Sequence, residues 1–333
     1  MHSWIKNIPG LLFLFVIGLL SKHLGALIPH VSYLIVAIGI GMVASNIFSL
    51  PGFIKTGILN CHQELLKTGI VILGARIVIA DLLRVGPIML LMVIVFLVLS
   101  ALIVEYVSSR LKLESTLGSC LASGTSVCGV SAVVATAGGI GASGKATAYA
   151  IATVLLFDVI TVFLYPALGL IFSIPAEVFG PWAGISMFST GTAVAAGFAH
   201  SDHAGQLATM AKMARNVFIG AWALFYTIYY TRKGAAASMV ENKALYLWEK
   251  FPKFVLGFML MMVIANTGFI STEEASSLRN MYNWLFMMAF VGLGYDINFK
   301  EMKKTGLKPF LAVMISFTII SLLSLTLSFI IFR

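Results

Sequence analysis

Charged residues are scarce in this chain of 333 residues, since Asp, Glu, Lys and Arg together make up only 11% of it. Soluble domains carry about a quarter charged residues. Here 59% of the residues are hydrophobic and the mean hydropathy is +0.99. Too few polar side chains remain to cover a globule. The scarcity of charge therefore excludes a soluble enzyme with a large core and predicts an integral membrane protein.

Cysteine is also scarce, being limited to Cys61, Cys120 and Cys128. An odd number without paired spacing gives neither a disulfide framework nor a metal motif. The chain also lacks a Gly-x-x-x-x-Gly-Lys-Ser/Thr motif, so we expect no direct ATP drive, no cofactor and no metal. The net charge of +9 does not indicate nucleic-acid binding, because the basic residues sit at the ends of apolar runs.

Long apolar runs dominate the sequence, and about eleven of them approach the roughly twenty residues that a spanning helix needs. They cover 9–28, 31–50, 65–80, 85–107, 115–140, 146–172, 181–199, 204–230, 251–270, 281–297 and 307–332. The first run lacks a small-x-small cleavage site and is expected to be a retained helix. We therefore predict an all-α polytopic membrane protein with one integral domain over 1–333, in approximate halves 1–172 and 181–333, and a polar loop at 231–250.

Basic residues in the connections predict the orientation, because cytoplasmic loops collect Lys and Arg. One side holds Lys6, Lys55, Arg110, Lys112, Arg232, Lys233, Lys243, Lys250, Lys300, Lys303, Lys304 and Lys308. The other side holds Lys22, Arg84, Lys145, Arg279 and Arg333. The first set is expected to be cytoplasmic. The protein would then be a multi-pass protein of the cell (inner or plasma) membrane with its N-terminus in the cytoplasm.

Two stretches of similar sequence suggest internal repeats. The stretch from Val71 to Gly86 resembles the stretch from Val291 to Gly306, and the expected topology gives them opposite directions. Opposite directions are typical of the inverted repeats of secondary transporters, although chance similarity of two helix ends is the alternative. A second similarity links Gly124-Thr-Ser-Val127 with Gly191-Thr-Ala-Val194. The expected topology gives these two segments the same direction, which does not fit a simple inverted duplication.

The run at 119–144 is crowded with Gly, Ser and Thr and nearly lacks bulky side chains. Such composition allows tight helix packing. It also favours a discontinuous helix, since glycine relaxes the backbone and hydroxyls satisfy freed backbone groups. A break near Gly124 to Gly129 would direct the N-terminal end of a half-helix at the bilayer centre, where it can bind an anion. The similar run at 184–197, centred on Ser189 to Thr192, could face the first break.

Three ionisable residues lie in the middle of predicted spans: Asp158, Lys212 and Arg215. A charge there costs at least about 2.5–3.5 kcal/mol, so such residues have partners or functions. Asp158 could form a structural ion pair with either cation, or could bind a coupling proton or sodium ion. The surplus positive charge favours an anionic substrate. The expected substrate-binding residues are Gly124, Thr125, Ser126, Cys128, Gly129, Ser131, Ser189, Thr190, Gly191, Thr192, Lys212 and Arg215.

Several motifs resemble the family of prokaryotic inner-membrane proteins named for sulfate export, also called YeiH-like proteins. They are Ser123-Gly-Thr-Ser-Val-Cys-Gly-Val-Ser-Ala132, Ile72-Leu-Gly-Ala-Arg76, Ala193-Val-Ala-Ala-Gly197, Ala211-Lys-Met-Ala-Arg215 and Gly292-Leu-Gly294. The resemblance implies a relation to the sodium/proton antiporter and bile-acid symporter superfamily, with inverted repeats, two crossed discontinuous helices and a scaffold panel. This sequence departs from the family pattern at Phe188 and Ser189, where a histidine and an aspartate often stand.

Together these features predict a secondary transporter of a small anion, sulfate-like or an organic sulfonate or carboxylate, working by alternating access. A channel and a cation-coupled carrier of a non-anionic solute are the alternatives. An intramembrane enzyme is not expected, because Cys128 has no histidine placed to act as its base. The expected partners are the anion, a proton or sodium ion, the lipid bilayer and, by analogy with the superfamily, a second copy of the chain.

Overall fold

The computed structural model describes residues 7–27, 32–233, 242–302 and 306–332. Within these ranges the regular structure is entirely helical. Four helical stretches are long and apolar enough to cross a membrane: Ile8–Leu27, Gly86–Arg110, Gly144–Ile171 and Leu307–Phe332. The predicted class, an all-α polytopic membrane protein, is confirmed. Lys6, Lys303, Lys304 and Arg333, which were used to predict the orientation, lie outside the described residues.

The helices follow one another with short connections. They are α1 (Ile8–Leu27), α2 (Tyr33–Ile47), α3 (Gly52–Leu73), a 3-10 turn (Gly74–Arg76), α4 (Ile79–Arg110), α5 (Ser115–Ser126), α6 (Val130–Ile140), α7 (Gly144–Ile171), α8 (Ala176–Ser186), α9 (Thr190–His200), α10 (Asp202–Asn216), α11 (Ile219–Arg232), α12 (Lys243–Lys250), α13 (Phe254–Asn266), α14 (Thr272–Asp296), α15 (Phe299–Met302) and α16 (Leu307–Phe332). The stretch at 231–250, expected to be a polar loop, thus contains the helix α12.

The chain forms two compact units. The first contains the residues up to Gly86, Phe198–Gln206 and Lys253–Phe299. Its central helix is α14, on which α1, α2 and α3 pack. Glycine permits this close approach, because a Cβ on Gly294 would lie 2.0 Å from the backbone oxygen of Ile38. Small residues at such contacts are characteristic of helix packing in membranes.

Helices α3 and α14 run antiparallel, since Gly69 lies beside Phe286 while His62 lies beside Gly292. These two helices carry the first pair of similar sequences, and each is followed by a short turn and a new helix. Their opposite directions agree with the predicted topology. The inverted repeat itself stays a prediction.

In the second unit (Pro87–Gly197, Leu207–Pro252 and the residues from Lys300), α5 and α6 form a hairpin. The Ser123 hydroxyl lies 2.6 Å from that of Thr136 and donates to the Ala132 carbonyl at 3.3 Å. In one straight helix, residues 123 and 136 would be about 20 Å apart. The run at 115–140 is therefore interrupted as predicted, but it folds back instead of passing through.

Helices α8 and α9 form a second hairpin, which reaches the same region from the opposite end of the unit. Along α7, the Tyr165 hydroxyl bonds Ser186 near the end of α8, and Asp158 bonds Ser189 just before α9. Helix α9 then runs back antiparallel to α10, with the Asn216 amide bonded to Thr190 at its start. The expectation that the interrupted segments at 115–140 and 181–199 cross as spanning helices is thus corrected, because both are hairpins.

The first hairpin also corrects the expected position of Lys145. The end of α6 lies at the end of α11, because a Cβ on Gly139 would lie 2.0 Å from the Thr227 hydroxyl oxygen. Helix α5 begins there too, since Ser119 bonds Tyr230 at 3.0 Å. Lys145, which follows α6 directly, therefore shares one end of the unit with Arg232 instead of lying on the other side.

Candidate functional site

The tips of the two hairpins meet inside the second unit. Gly129 lies at the first tip with φ of +76°, a conformation that L side chains rarely adopt. A Cβ at this position would lie 2.3 Å from the hydroxyl oxygen of Ser189 in the second tip. Only glycine fits both the backbone and the space. The expectation that the second break faces the first is confirmed.

Arg215 joins the two tips by donating to backbone carbonyls of both hairpins. Its Nε donates to Ser126 O at 2.5 Å, and its Nη2 donates to Thr125 O at the end of α5. Its Nη1 donates to Ile185 O at 2.5 Å and Met187 O at 3.0 Å at the end of α8. The guanidinium thus satisfies the free carbonyls, and neutralises the partial negative charge, at two helix C-termini.

Lys212, one turn before Arg215 on α10, has a related role. Its Nζ donates to Met187 O at 2.5 Å, and its side chain is completely buried. Both mid-span cations therefore compensate helix C-termini. Two helix C-termini together carry about one unit of negative charge, so these hydrogen bonds offset only part of the surplus positive charge noted in the sequence.

Asp158 of α7 binds the N-terminal end of α9. Its Oδ1 accepts the Ser189 N–H and the Thr192 hydroxyl, each at 3.0 Å. Its Oδ2 accepts the Ser189 hydroxyl. Asp158 forms no ion pair with Lys212 or Arg215, all three being described residues. The interpretation of a direct ion pair is wrong, and the carboxylate serves as an N-cap from another helix.

The predicted site residues separate by accessibility. Ser131 is exposed, and Ser189 and Thr190 are half-buried. The others are buried: Gly124, Thr125, Ser126, Cys128, Gly129, Gly191, Thr192, Lys212 and Arg215. The accessible residues flank the starts of α6 and α9. The hydroxyl of buried Ser126 has no hydrogen-bond partner. The structure thus brings the predicted residues together, while their binding of substrate stays a prediction.

Sequence reasoning missed two polar residues, Asn216 and Glu105. Asn216, directly after Arg215, donates to Thr190 at 3.0 Å. Glu105 of α4 accepts the Ser119 hydroxyl at 2.7 Å and so fixes the outer arm of the first hairpin. His62 is buried in the middle of α3, because that helix begins at Gly52 and not at residue 65. A polar residue inside a predicted apolar run was the available signal for Asn216 and Glu105, whereas His62 precedes the run predicted at 65–80 and was expected at a membrane edge.

No cluster of three or more potential metal ligands occurs in the part of the chain that the structure describes. Fold and site together define a polytopic α-helical membrane protein whose second unit encloses a polar centre between two hairpin tips.

The chain belongs to the family described as conserved hypothetical protein 698, whose model matches residues 9–313. A UPF0324 membrane protein of Nitratidesulfovibrio vulgaris is 31% identical, covering 92% of this chain and 88% of the relative. Another from Clostridium tetani is 30% identical, covering 97% and 95%. A third from Streptococcus pyogenes serotype M18 is 30% identical, covering 98% and 97%. No solved structure matches the chain. The names of these relatives agree with a location in a membrane.

Proposed function

We propose that the protein is a secondary transporter of a small anion, such as sulfate or an organic sulfonate or carboxylate, in the cell's inner membrane. The observation that supports this most is the meeting of two interrupted hairpins at Gly129 and Ser189. Non-helical backbone at membrane depth occurs where it is enclosed by protein or lines a water-filled cavity. In transporters such breaks direct helix N-termini at anionic substrates.

The substrate would bind where the starts of α6 and α9 are accessible. Ser131, Ser189 and Thr190 would contact it with their hydroxyls, and the helix N-termini would supply N–H donors. Gly124, Thr125, Ser126, Cys128, Gly129, Gly191 and Thr192 would form the enclosing shell. Lys212 and Arg215 would hold the tips in place and attract the anion through the buried centre, where screening is weak.

The coupling ion, a proton or sodium, would bind at Asp158, and alternating access would move the substrate. The resemblance to the sulfate-export family and to the antiporter and symporter superfamily supports this mechanism, as do the opposite directions of α3 and α14. The basic end of the second unit would lie in the cytoplasm, and a cytoplasmic N-terminus is proposed from the basic residues of the sequence. A homodimer is proposed from the superfamily alone, and no enzymatic activity is proposed.

Counterflow separates this proposal from a channel. Proteoliposomes preloaded with unlabelled sulfate should take up labelled sulfate faster than empty ones. A carrier that has released labelled sulfate inside can bind unlabelled sulfate there and return to the outer side with it. A channel would instead follow only the gradient and the voltage.

Two hydroxyl substitutions test the site. Thr190→Val should slow the exchange, whereas Thr318→Val should not, since the Thr318 hydroxyl is exposed and donates only within its own helix. Sulfate flux without counterflow would replace the transporter by a channel, and equal rates in both variants would contradict the site.

A further inference from the structure

Asp158 occupies the position that a substrate anion would take at the start of α9. Its two oxygens accept the Ser189 N–H, the Ser189 hydroxyl and the Thr192 hydroxyl. These donors are the ones that an oxyanion would use at this helix N-terminus. Asp158 itself is 4% exposed. The carboxyl oxygens of Asp158 therefore already accept from these donors, so the position is built around oxygen acceptors.

The groups around Asp158 define the charge balance. Lys212 and Arg215 of α10 both interact electrostatically with Asp158 and with the Cys128 thiol. Both cations are bonded to carbonyls, so neither is free to move with Asp158. Ser189, just before α9, and Thr192, in the first turn of α9, are uncharged. Asp158 is thus the negative charge that opposes two buried cations.

Protonation of Asp158 would change both the charge and the hydrogen bonding. A proton from solvent bonds to one carboxylate oxygen, and the neutral carboxyl is a much weaker acceptor for three donors. The two cations then lack their counter-charge. One incoming anion supplies the missing negative charge and the acceptor oxygens together. A sodium ion would not act in this way, because it would need the carboxylate oxygens as its own ligands.

We propose that Asp158 and the substrate anion compete for the donors at the start of α9, so that the anion binds together with a proton on Asp158. This inference rests on the proposed function. It adds that the proton and the anion are transported together, in the same direction. Linkage requires each to strengthen the binding of the other by the same factor. For one coupled proton, anion affinity should rise by up to about tenfold for each unit of falling pH.

Calorimetry on the purified full-length protein tests this with sulfate as the probe, whose own charge is constant over the neutral and mildly acidic range. Titrations in two buffers of different ionisation enthalpy give the number of protons taken up for each sulfate bound. The wild type should take up about one proton, the stoichiometry of a single coupled site. Asp158→Asn should bind sulfate with no uptake and no dependence on pH. Asp202→Asn, which removes a carboxylate paired with Arg279 at 42% side-chain exposure, should behave like the wild type.

Thr192→Val gives a second test if Asp158→Asn does not fold. With one donor fewer, the Asp158 carboxylate is less stabilised and is protonated at higher pH. The pH at which sulfate affinity rises should therefore shift upward.

The possible results distinguish the competition at Asp158 from the proposed transport of an anion. Sulfate binding without proton uptake in the wild type, or equal uptake in Asp158→Asn, overturns the competition but leaves the anion transporter intact. An unshifted pH profile in Thr192→Val also contradicts it. If the wild type binds no sulfate at any pH, the proposed substrate class fails and this inference fails with it.

Discussion

At the residue scale, Arg215 illustrates why a buried charge must be interpreted with its partners. Its guanidinium donates to four carbonyls in two hairpins. A planar group with five donors can reach all of them, whereas an ammonium is a compact point charge. The side chain therefore stabilises the interrupted backbone whether or not an anion is bound.

We expect Arg215→Lys to lower the melting temperature of the ligand-free protein, although the charge is retained. Each carbonyl left without a partner costs about 1–3 kcal/mol. Thermal unfolding in detergent measures the effect. Arg279→Lys is the control, because this residue pairs with Asp202 at 46% side-chain exposure, where ion pairs contribute little. An unchanged melting temperature with weaker sulfate binding would instead assign Arg215 directly to the substrate.

Gly129 is the second residue whose replacement is informative. Gly129→Ala adds a methyl group 2.3 Å from the Ser189 hydroxyl oxygen at a φ of +76°. Backbone strain of this kind costs about 1–3 kcal/mol. We expect lower stability and loss of sulfate exchange in proteoliposomes. Gly138→Ala in the same hairpin has open space and serves as the control; equal effects of both substitutions would contradict a specific contact between the tips.

At the scale of elements, the direct test of the first hairpin is a disulfide. Ser123→Cys with Thr136→Cys, in a background without the native cysteines, should cross-link on mild oxidation, since the two hydroxyls are 2.6 Å apart. A pair with the same spacing in the continuous helix α7, Ala148→Cys with Thr161→Cys, should not, because about 20 Å separates such positions in a helix. Mobility on non-reducing gels reports both. Failure of the first pair to cross-link would favour a straight, spanning segment.

The hairpins also mark the limit of what the sequence could predict. The density of Gly, Ser and Thr around Gly129 and Ser189 located both interruptions correctly. The direction of the chain after each interruption could not be predicted, because a run of about twenty-six apolar residues fits one spanning helix or two short arms equally well. Similarly, sequence identified Asp158, Lys212 and Arg215 as buried charges, but not their partners. Both cations bond backbone carbonyls where helices end, and Asp158 bonds one backbone N–H and two hydroxyls at the start of α9.

At the scale of the whole molecule, the hairpins change the distribution of charge. The same end of the second unit carries Arg232 and Lys145, and Arg110 ends α4 near the start of α5, where Gly118 lies beside Ser108. The opposite end, between α7 and α8, carries Glu177 and no basic residue over 171–177. The asymmetry is therefore stronger than the sequence-based topology suggested, and it favours the basic end as the cytoplasmic one.

Labelling of single cysteines tests this arrangement in intact cells. Lys145→Cys should react with a membrane-impermeant maleimide only from the side on which Lys112→Cys and Lys233→Cys react, since the hairpin returns the chain to that side. Glu177→Cys should react only from the other side, because α7 crosses the membrane between the two positions. The side of Lys112 relative to the cytoplasm tests the orientation, and the side of Lys145 relative to Lys112 tests the fold. If Lys145→Cys were labelled together with Glu177→Cys, the segment at 115–140 would have to cross the membrane, and the meeting of two hairpin tips at Gly129 and Ser189 could not stand.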